Sequence, residues 1–325
     1  MTEQKALYQL IKENSEGGRL SNKFSLPSDE RKEKIRFADG AMDGICIYHM
    51  APYKLESSDV ELMKKSVAAM SKGDYAETNA VLAQLGKNAR AIQLVDHFQQ
   101  YILNHEDEID LEKAYPCIFD IVCKSTEKES IKFALVMMEL LDTEHDFIKK
   151  VVRTIALSDE FTIFALWIMR FWQNGNNEIF EIAKNMSGWG KIHAVELLQP
   201  ETEEIREWLL IEGTKNNVAY AYSALTCWEK SLAEERLKGD LTYLEYKGVL
   251  TLIDALLDEG PISGISNLND ADKIINNVIL RSSEYELTAE DYNTIKSIKA
   301  QIDNSGAKEQ YPLSIKACDT VISSE

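Results

Sequence analysis

Histidines that stand next to carboxylates are the residues of this chain best suited to chemistry. The sequence contains the pairs His105-Glu106 and His145-Asp146, together with Asp96-His97, in which the order is reversed. Imidazole and carboxylate groups are suitable ligands for iron, so such pairs on neighbouring elements are typical of a metal site. Glu106, however, begins an acidic stretch that fits a solvated turn more simply. We therefore assign no metal ligands and no cofactor, and a metal site stays the alternative.

Other catalytic motifs are missing from the sequence. It has no G-x-S-x-G, no phosphate-binding G-x-x-x-x-G-K-[ST], no G-x-G-x-x-G after a strand and no H-E-x-x-H. Catalytic residues also assemble from distant positions, so this leaves catalysis open. The 5 cysteines are scattered and include no C-x-x-C pair, which argues against a disulfide framework and against structural zinc.

The charge balance indicates an acidic protein. Lysine and arginine number 36 against 54 acidic residues, which gives a formal net charge of −18. A field of this sign repels phosphate backbones and anionic lipid surfaces, so we expect neither nucleic acid nor a membrane as a partner. No apolar stretch approaches the ~20 residues of a membrane-spanning helix, and the polar residues 1–5 do not resemble a secretory signal. We expect a cytoplasmic protein.

Four apolar stretches centred on alanine repeat near the middle of the chain. Ala134, Ala165, Ala194 and Ala224 follow one another at steps of 31, 29 and 30 residues. A helical hairpin with its two turns has this length, and the small alanine side chain lets two crossing helices approach closely. The 15 glycines and 6 prolines are also few, which favours helix. We therefore predict an all-α protein of stacked helical hairpins.

A second set of apolar residues keeps the same period between the alanine helices. Its steps are 31 and 29 residues, through Ile148 and Val151, Ile179 and Ile182, and Trp208 and Ile211. Two helical faces that repeat in phase strengthen the prediction of hairpins, with these residues on the buried side of each second helix.

The chain divides into three regions by pattern. Residues 1–57 are predicted to form an N-terminal helix and an irregular capping segment, in which the apolar run 45–50 is either a buried strand or a helix fragment. Residues 58–240 are expected to form the helical repeat region. Residues 241–325 are a C-terminal helical region, which either continues the stack or forms a small second domain.

From about residue 127 to 237, the alanine-centred helices and their partners resemble HEAT-type, armadillo-like repeats. HEAT repeats often carry a proline in the first helix and an Asp and Arg pair in the second. Here Pro200 lies between helices and only Arg153 and Arg206 could correspond to that arginine, so the resemblance is one of pattern. The stretch 188–196 is similar to segments of uncharacterised bacterial solenoid proteins. The resemblance implies an α-α superhelix whose concave surface contacts an extended partner.

The same resemblance implies two enzymatic alternatives. Some HEAT-like proteins, such as deoxyhypusine hydroxylase, bind two irons through His-Glu pairs from successive repeats, whereas His105 and His145 are 40 residues apart instead of about 30. One family of DNA glycosylases surrounds DNA with a HEAT-like solenoid. Such proteins need a basic concave face, which a net charge of −18 disfavours.

We therefore predict an interaction scaffold without catalysis that binds an extended or basic protein segment. The second helices of the hairpins would form its contact surface, where we expect Arg153, Glu181, Lys184 and Glu207. Trp189 stands between two glycines at the start of a helix, and we expect it to be exposed as an anchor, because exposed tryptophans often dominate interface energy. The sequence does not give the partner or the oligomeric state.

Overall fold

The computed structural model describes residues 5–27 and 37–324. These residues form eighteen α-helices and one two-stranded hairpin, which confirms the all-α prediction. No helix among them is long and apolar enough to cross a membrane. Residues 1–4 lie outside this part of the chain, and the expected lack of a secretory signal rests partly on them. Residues 28–36 of the expected capping segment also lie outside it.

Contacts between residues divide the chain into two compact units, Met1–Ala194 and Val195–Glu325. The region boundaries expected at residues 57 and 240 stay predictions, because a boundary between helical repeats need not coincide with a boundary between compact units.

The first unit contains helices α1 to α10, the small hairpin and most of α11, which continues into the second unit. Their bounds are α1 Leu7–Glu13, β1 Ser15–Glu16, β2 Arg19–Leu20, α2 Ala41–His49, α3 Ser57–Met70, α4 Tyr75–Asn88, α5 Ala91–Asn104, α6 Leu111–Lys124, α7 Lys128–Met138, α8 Asp146–Ile155, α9 Thr162–Met169, α10 Gly175–Asn185 and α11 Trp189–Leu197.

Helix α7 is the centre of the first unit. It packs against α4, α5, α6 and α9, and every residue from Ser130 to Met138 is buried. A helix that is apolar on all sides must be covered on all sides, and the neighbouring helices provide that cover. The charged Lys132 lies within this buried stretch, and its position requires an explanation that packing alone does not give.

The four repeated alanines are all buried, with at most 1% of their surface exposed. Two of them, Ala134 on α7 and Ala165 on α9, lie on helices that contact each other. Helix α9 also contacts α8 and α10, so the two alanine-centred helices are neighbours and α9 packs against the helix on either side of it in the chain. The period of the alanines therefore corresponds to a helical repeat in the first unit.

The second apolar set is confirmed for two of its three members. Ile148 and Val151 on α8 are buried, as are Ile179 and Ile182 on α10. On the next second helix, Glu203–Ile211, the prediction is wrong, because its buried residues are Ile205, Leu209 and Leu210, whereas Trp208 and Ile211 are half-buried. The buried residue Leu210 lies 31 residues after Ile179, which is also the step from Ile148 to Ile179. The buried face of this helix is therefore displaced by one position from the predicted residues.

The apolar run 45–50 is helical as far as His49. It belongs to α2, which confirms the helix of the two alternatives. The helix begins after Gly40, whose φ of 76° lies in the left-handed region that favours glycine. A side chain is also excluded there by space, since a Cβ on Gly40 would lie 2.4 Å from the carbonyl oxygen of Asp159.

The second unit consists of the end of α11 and seven further helices. Their bounds are α12 Glu203–Ile211, α13 Ala221–Lys230, α14 Ala233–Arg236, α15 Tyr243–Leu257, α16 Ala271–Leu280, α17 Ala289–Asn304 and α18 Pro312–Ile322.

Helix α15 is the centre of this second unit and packs against α12, α13, α16 and α17. Helix α17 begins with a capping box, in which the side chain of Thr288 accepts a hydrogen bond from Asp291 N–H and the carboxylate of Asp291 accepts one from Thr288 N–H.

The close packing around Ala165 gives a test of the repeat. Replacing Ala165 with leucine adds three carbons at a buried crossing, so we expect the free energy of unfolding to fall by about 1–3 kcal/mol. Urea denaturation of the full chain measures this change. The control is Ala80→Leu, which changes an exposed alanine of α4. Equal effects of the two substitutions would contradict the role given to the repeated alanines.

Candidate functional site

Two of the expected contact residues line one groove. Arg153 on α8 and Glu181 on α10 face a groove of about 320 Å³. The floor of this α8–α10 groove is apolar, because Leu157 and Ile182 lie there with little exposed surface. Its walls are polar, and the lining residues are Ser15, Gly18, Lys150, Arg153, Thr154, Leu157, Glu178, Glu181, Ile182 and Asn185.

The small β-hairpin closes one side of the α8–α10 groove. Ser15 and Gly18 belong to it, and Gly18 has a φ of 79°, which a residue with a side chain rarely adopts. Arg19 Nε donates a hydrogen bond of 2.7 Å to Asn185 Oδ1 at the end of α10. The Asn185 amide in turn donates to the carbonyl oxygen of Glu181. This chain of hydrogen bonds fixes the hairpin beside the groove.

Ion pairs of different strength cross the groove and follow its rim. Arg153 binds Glu178 through two hydrogen bonds, of 2.8 and 2.6 Å, and these bonds to Glu178 raise the pKa of Arg153. A bidentate pair of this kind is geometrically well defined. Lys184 pairs with Glu181 at 2.6 Å, but 62% of the Glu181 side chain is exposed. Such an exposed pair contributes little to stability, so Glu181 can exchange Lys184 for another cation.

Glu207 is not among the residues that line the α8–α10 groove. It is an exposed residue of α12 in the second unit, and its expected role as a contact residue stays a prediction.

The expected exposure of Trp189 is wrong, because only 6% of its surface is accessible. Its indole packs flat against α2, where a Cβ on Gly44 would lie 2.3 Å from the ring. The ring also lies 6.0 Å from that of Tyr48 and 6.1 Å from that of His193, in stacked arrangements. Trp189 is therefore a core residue that binds α11 to α2, which removes it as an exposed anchor.

The glycines beside Trp189 have a packing role. Gly190 N–H donates a hydrogen bond of 2.6 Å to the carboxylate of Asp159 at the start of α11. A Cβ on Gly188 would lie 2.5 Å from the same carboxylate. Burial raises the pKa of Asp159 to about 6, although the bond from Gly190 acts in the opposite direction. The two glycines thus leave space for the carboxylate of Asp159 at the start of the helix. From the sequence alone, the same two glycines suggest an exposed Trp189.

A buried cluster of charges lies beneath α2 and was not anticipated from the sequence. The ammonium of Lys132 is fully buried and lies 2.7 Å from Asp43 Oδ2, 2.6 Å from Glu160 Oε1 and 3.2 Å from Glu129 Oε1. Arg90 compensates Glu129 at 3.2 Å. Asp43 and Glu160 therefore share the single positive charge of Lys132. We call these five residues the Lys132 cluster.

The two carboxylates that share Lys132 respond differently to burial. Burial raises the pKa of Asp43 to about 7, against the attraction of Lys132. Burial acts to raise the pKa of Glu160 as well, but the attraction of Lys132 and Lys128 outweighs it and lowers that pKa to about 2. Glu160 also accepts a hydrogen bond of 2.9 Å from Gly40 N–H. The charge of Glu160 is thus favoured more strongly than that of Asp43.

The Lys132 cluster stabilises the position of α2. Asp43 belongs to α2, Gly40 precedes it, and their partners lie on α7 and in the segment before α9. Because Lys132 is completely covered by protein, its amine is not placed to contact a substrate. The chemistry of this cluster is that of an internal ionic anchor.

The histidine-carboxylate pairs do not assemble into a metal site within the described residues. His105 ends α5, where its Nδ1 lies 2.8 Å from the carbonyl oxygen of Tyr101 and its ring stacks on that tyrosine. His145 precedes α8 and is exposed. Over residues 5–27 and 37–324, no three His, Cys, Asp or Glu side chains come together in a group suited to a metal ion.

Comparison of the chain with models of protein families, with curated proteins and with solved structures finds no match in any of the three.

Removing the charge of Lys132 tests the cluster. In Lys132→Met, two buried carboxylates lose their counter-charge, and we expect the free energy of unfolding to fall by about 3–5 kcal/mol at neutral pH. Adding Asp43→Asn should recover part of the loss, because one of the two uncompensated acids is then neutral. Urea denaturation measures both effects.

The matched control is Lys124→Met, which breaks the exposed pair of Lys124 with Asp120 on α6. We expect this variant to unfold like the unmodified chain. The assignment of Lys132 as an internal anchor is wrong if Lys132→Met unfolds like Lys124→Met.

His193 predicts a specific pH dependence of stability. Burial lowers its pKa from 6.5 to about 4, so the folded protein favours the neutral ring. The contribution of the neutral ring to the free energy of unfolding is fully present above pH 6.5. It is lost as the pH falls towards 4, by about 3 kcal/mol in total. In His193→Phe this loss should be absent, as seen by urea denaturation at a series of pH values. His145→Gln, an exposed histidine, serves as the control and should retain the loss; a retained loss in His193→Phe would refute the assignment.

Proposed function

We propose that this protein is an interaction module that binds an extended, positively charged segment of another protein, with the α8–α10 groove as its contact site. The observation that carries the proposal is the groove itself, with its apolar floor, polar walls and exposed acid at Glu181. Pockets of about 300 Å³ and more, with a few placed polar groups, are of the size at which ligands bind.

The polar groups of the groove suit a peptide main chain. The hydroxyls of Thr154 and Ser15 donate to main-chain carbonyl oxygens of their own chain. Their oxygens keep lone pairs that can accept hydrogen bonds from the N–H groups of an extended segment. Leu157 and Ile182 provide the apolar surface against which a side chain of the segment packs.

The charge of the protein determines which segments it attracts. A net charge of −18 accelerates association with basic partners and disfavours nucleic acids. Within the groove, Glu181 is the acid that can exchange its partner at low cost, because its pair with Lys184 is exposed. Arg153 and Lys150 on the opposite wall repel cations, so the basic residue of the segment should lie on the α10 side.

The helical repeat supports this proposal as a scaffold of the HEAT type. In the first unit α9 packs against α7, α8 and α10, and all four helices carry buried apolar residues. Stacked hairpins of this kind expose their second helices along one surface, which suits them to extended partners. The α8–α10 groove lies between two such second helices.

Selection of peptides tests the proposal because it does not require the partner to be identified. A random peptide library displayed on phage is selected against the immobilised full chain, and we expect enrichment of peptides that contain lysine or arginine. The affinity of a selected peptide is then measured for Glu181→Lys, where charge reversal should weaken binding about tenfold or more.

The matched control is Glu234→Lys, which makes the same charge change at an exposed acid of α14. We expect less than a twofold effect from this variant at moderate ionic strength, because exposed charges at a distance are screened. Enrichment of acidic peptides, or equal effects of the two variants, would contradict the proposal.

A further inference from the structure

A second pocket, of about 230 Å³, lies between α2 and α5. We call it the α2–α5 pocket. Asp43 and Gly44 are the buried residues of α2, whereas Cys46 and Ile47 line this pocket. Cys46 and Ile47 follow Asp43 by three and four positions, so they lie one helical turn further along the same face of α2, and the pocket adjoins the Lys132 cluster.

The lining of the α2–α5 pocket combines an apolar wall with an acid. Ile47, Pro52 and Ile92 supply aliphatic surface, and 40% of Ile47 is exposed. Asp96 follows Ile92 by one helical turn on α5, so its carboxylate lies beside the aliphatic surface on the same helix face. This is an arrangement in which a long side chain can bury an apolar stem and leave a charged end at an acid.

The walls of the α2–α5 pocket are fixed before any ligand binds. The Lys132 cluster stabilises α2. Tyr53 donates a hydrogen bond of 3.0 Å to the buried carboxylate of Asp59, which also accepts one from Asn88. A site with fixed walls loses less conformational entropy on binding than a flexible one.

Asp96 is free to take a cation. It is exposed, and its carboxylate makes no ion pair or hydrogen bond with the residues of 5–27 and 37–324. The neighbouring Gln93, by contrast, accepts a hydrogen bond from Arg90 N–H through its side-chain oxygen. An acid without a counter-charge, in a protein of net charge −18, gains more from a cation than one that is already paired.

We propose that the α2–α5 pocket binds the side chain of a lysine or arginine of the partner segment, with its aliphatic stem against Ile47 and Ile92 and its charged end at Asp96. The inference rests on the proposed function for the class of partner, and it assigns a second contact that selects one cationic residue. Both cations match this chemistry, since both combine an apolar stem with a charge that pairs with a carboxylate.

Methyl NMR of the full chain with labelled isoleucines tests the inference, because Ile47 and Ile92 report on the pocket directly. The probes are the Nα-acetyl methylamides of arginine, lysine and norleucine, the last of which has a similar stem without the charge. We expect saturable shifts of the Ile47 and Ile92 signals with arginine or lysine, and about tenfold weaker binding to Asp96→Asn. Norleucine should bind more weakly than both cations.

Three outcomes would overturn the inference: no shift of these signals with either cation, binding of norleucine as tight as that of the cations, or unchanged binding to Asp96→Asn. Glu181→Gln is the matched control in the α8–α10 groove and should leave the titration unchanged. The two proposals fail separately. If Glu181→Lys loses peptide binding and Asp96→Asn leaves the titration unchanged, the groove is supported and the pocket is refuted. If Glu181→Lys keeps peptide binding and Asp96→Asn weakens the titration, only the pocket is supported.

Discussion

The buried ammonium of Lys132, shared by Asp43 and Glu160, is the interaction on which the first unit most depends. It joins α7 to α2 and to the segment before α9. An ion pair in a dry interior offsets its own desolvation only when its geometry is good and its remaining polar atoms are satisfied. Glu160 meets this requirement through Gly40 N–H and Glu129 through Ala91 N–H. The strength of such a cluster lies in specifying one arrangement of its helices, since a displaced helix would leave charges uncompensated.

The position of α2 links the core to the surface. On its inner side, Gly44 permits the indole of Trp189 to lie against the helix backbone, and Tyr48 extends the stack to His193. One turn after Asp43, Cys46 and Ile47 of the same helix form a wall of the α2–α5 pocket. The buried charges and the pocket are thus connected through one short helix of nine residues.

Local patterns predicted the helices well because helices are stabilised locally. The all-α class follows from composition and from the period of the alanines. The shared location of Arg153 and Glu181 in one groove also follows from periodicity, which placed both on second helices. Such inferences need only the geometry of a helix and of its neighbour.

The parts that the sequence did not predict depend on contacts between distant residues. The Lys132 cluster combines positions 43, 90, 129, 132 and 160, and no local spacing relates them. One signal was present, a lysine directly before the apolar run that begins at Phe133. The exposure expected for Trp189 was wrong for a similar reason. Its flanking glycines admit the carboxylate of Asp159, and that acid lies about thirty positions earlier in the chain, where no helix pattern relates the two.

Hydrogen exchange of the α2 amides tests the dependence of this helix on Lys132 most directly. Mass spectrometry of the full chain would compare residues 41–49 in the unmodified protein and in Lys132→Met, with α15 of the second unit as an internal reference. We expect exchange in α2 to become about a hundredfold faster or more, while α15 is unchanged, because local opening no longer separates buried opposite charges. Unchanged exchange in α2, or equal acceleration in α15, would show that the position of α2 does not depend on the buried ammonium.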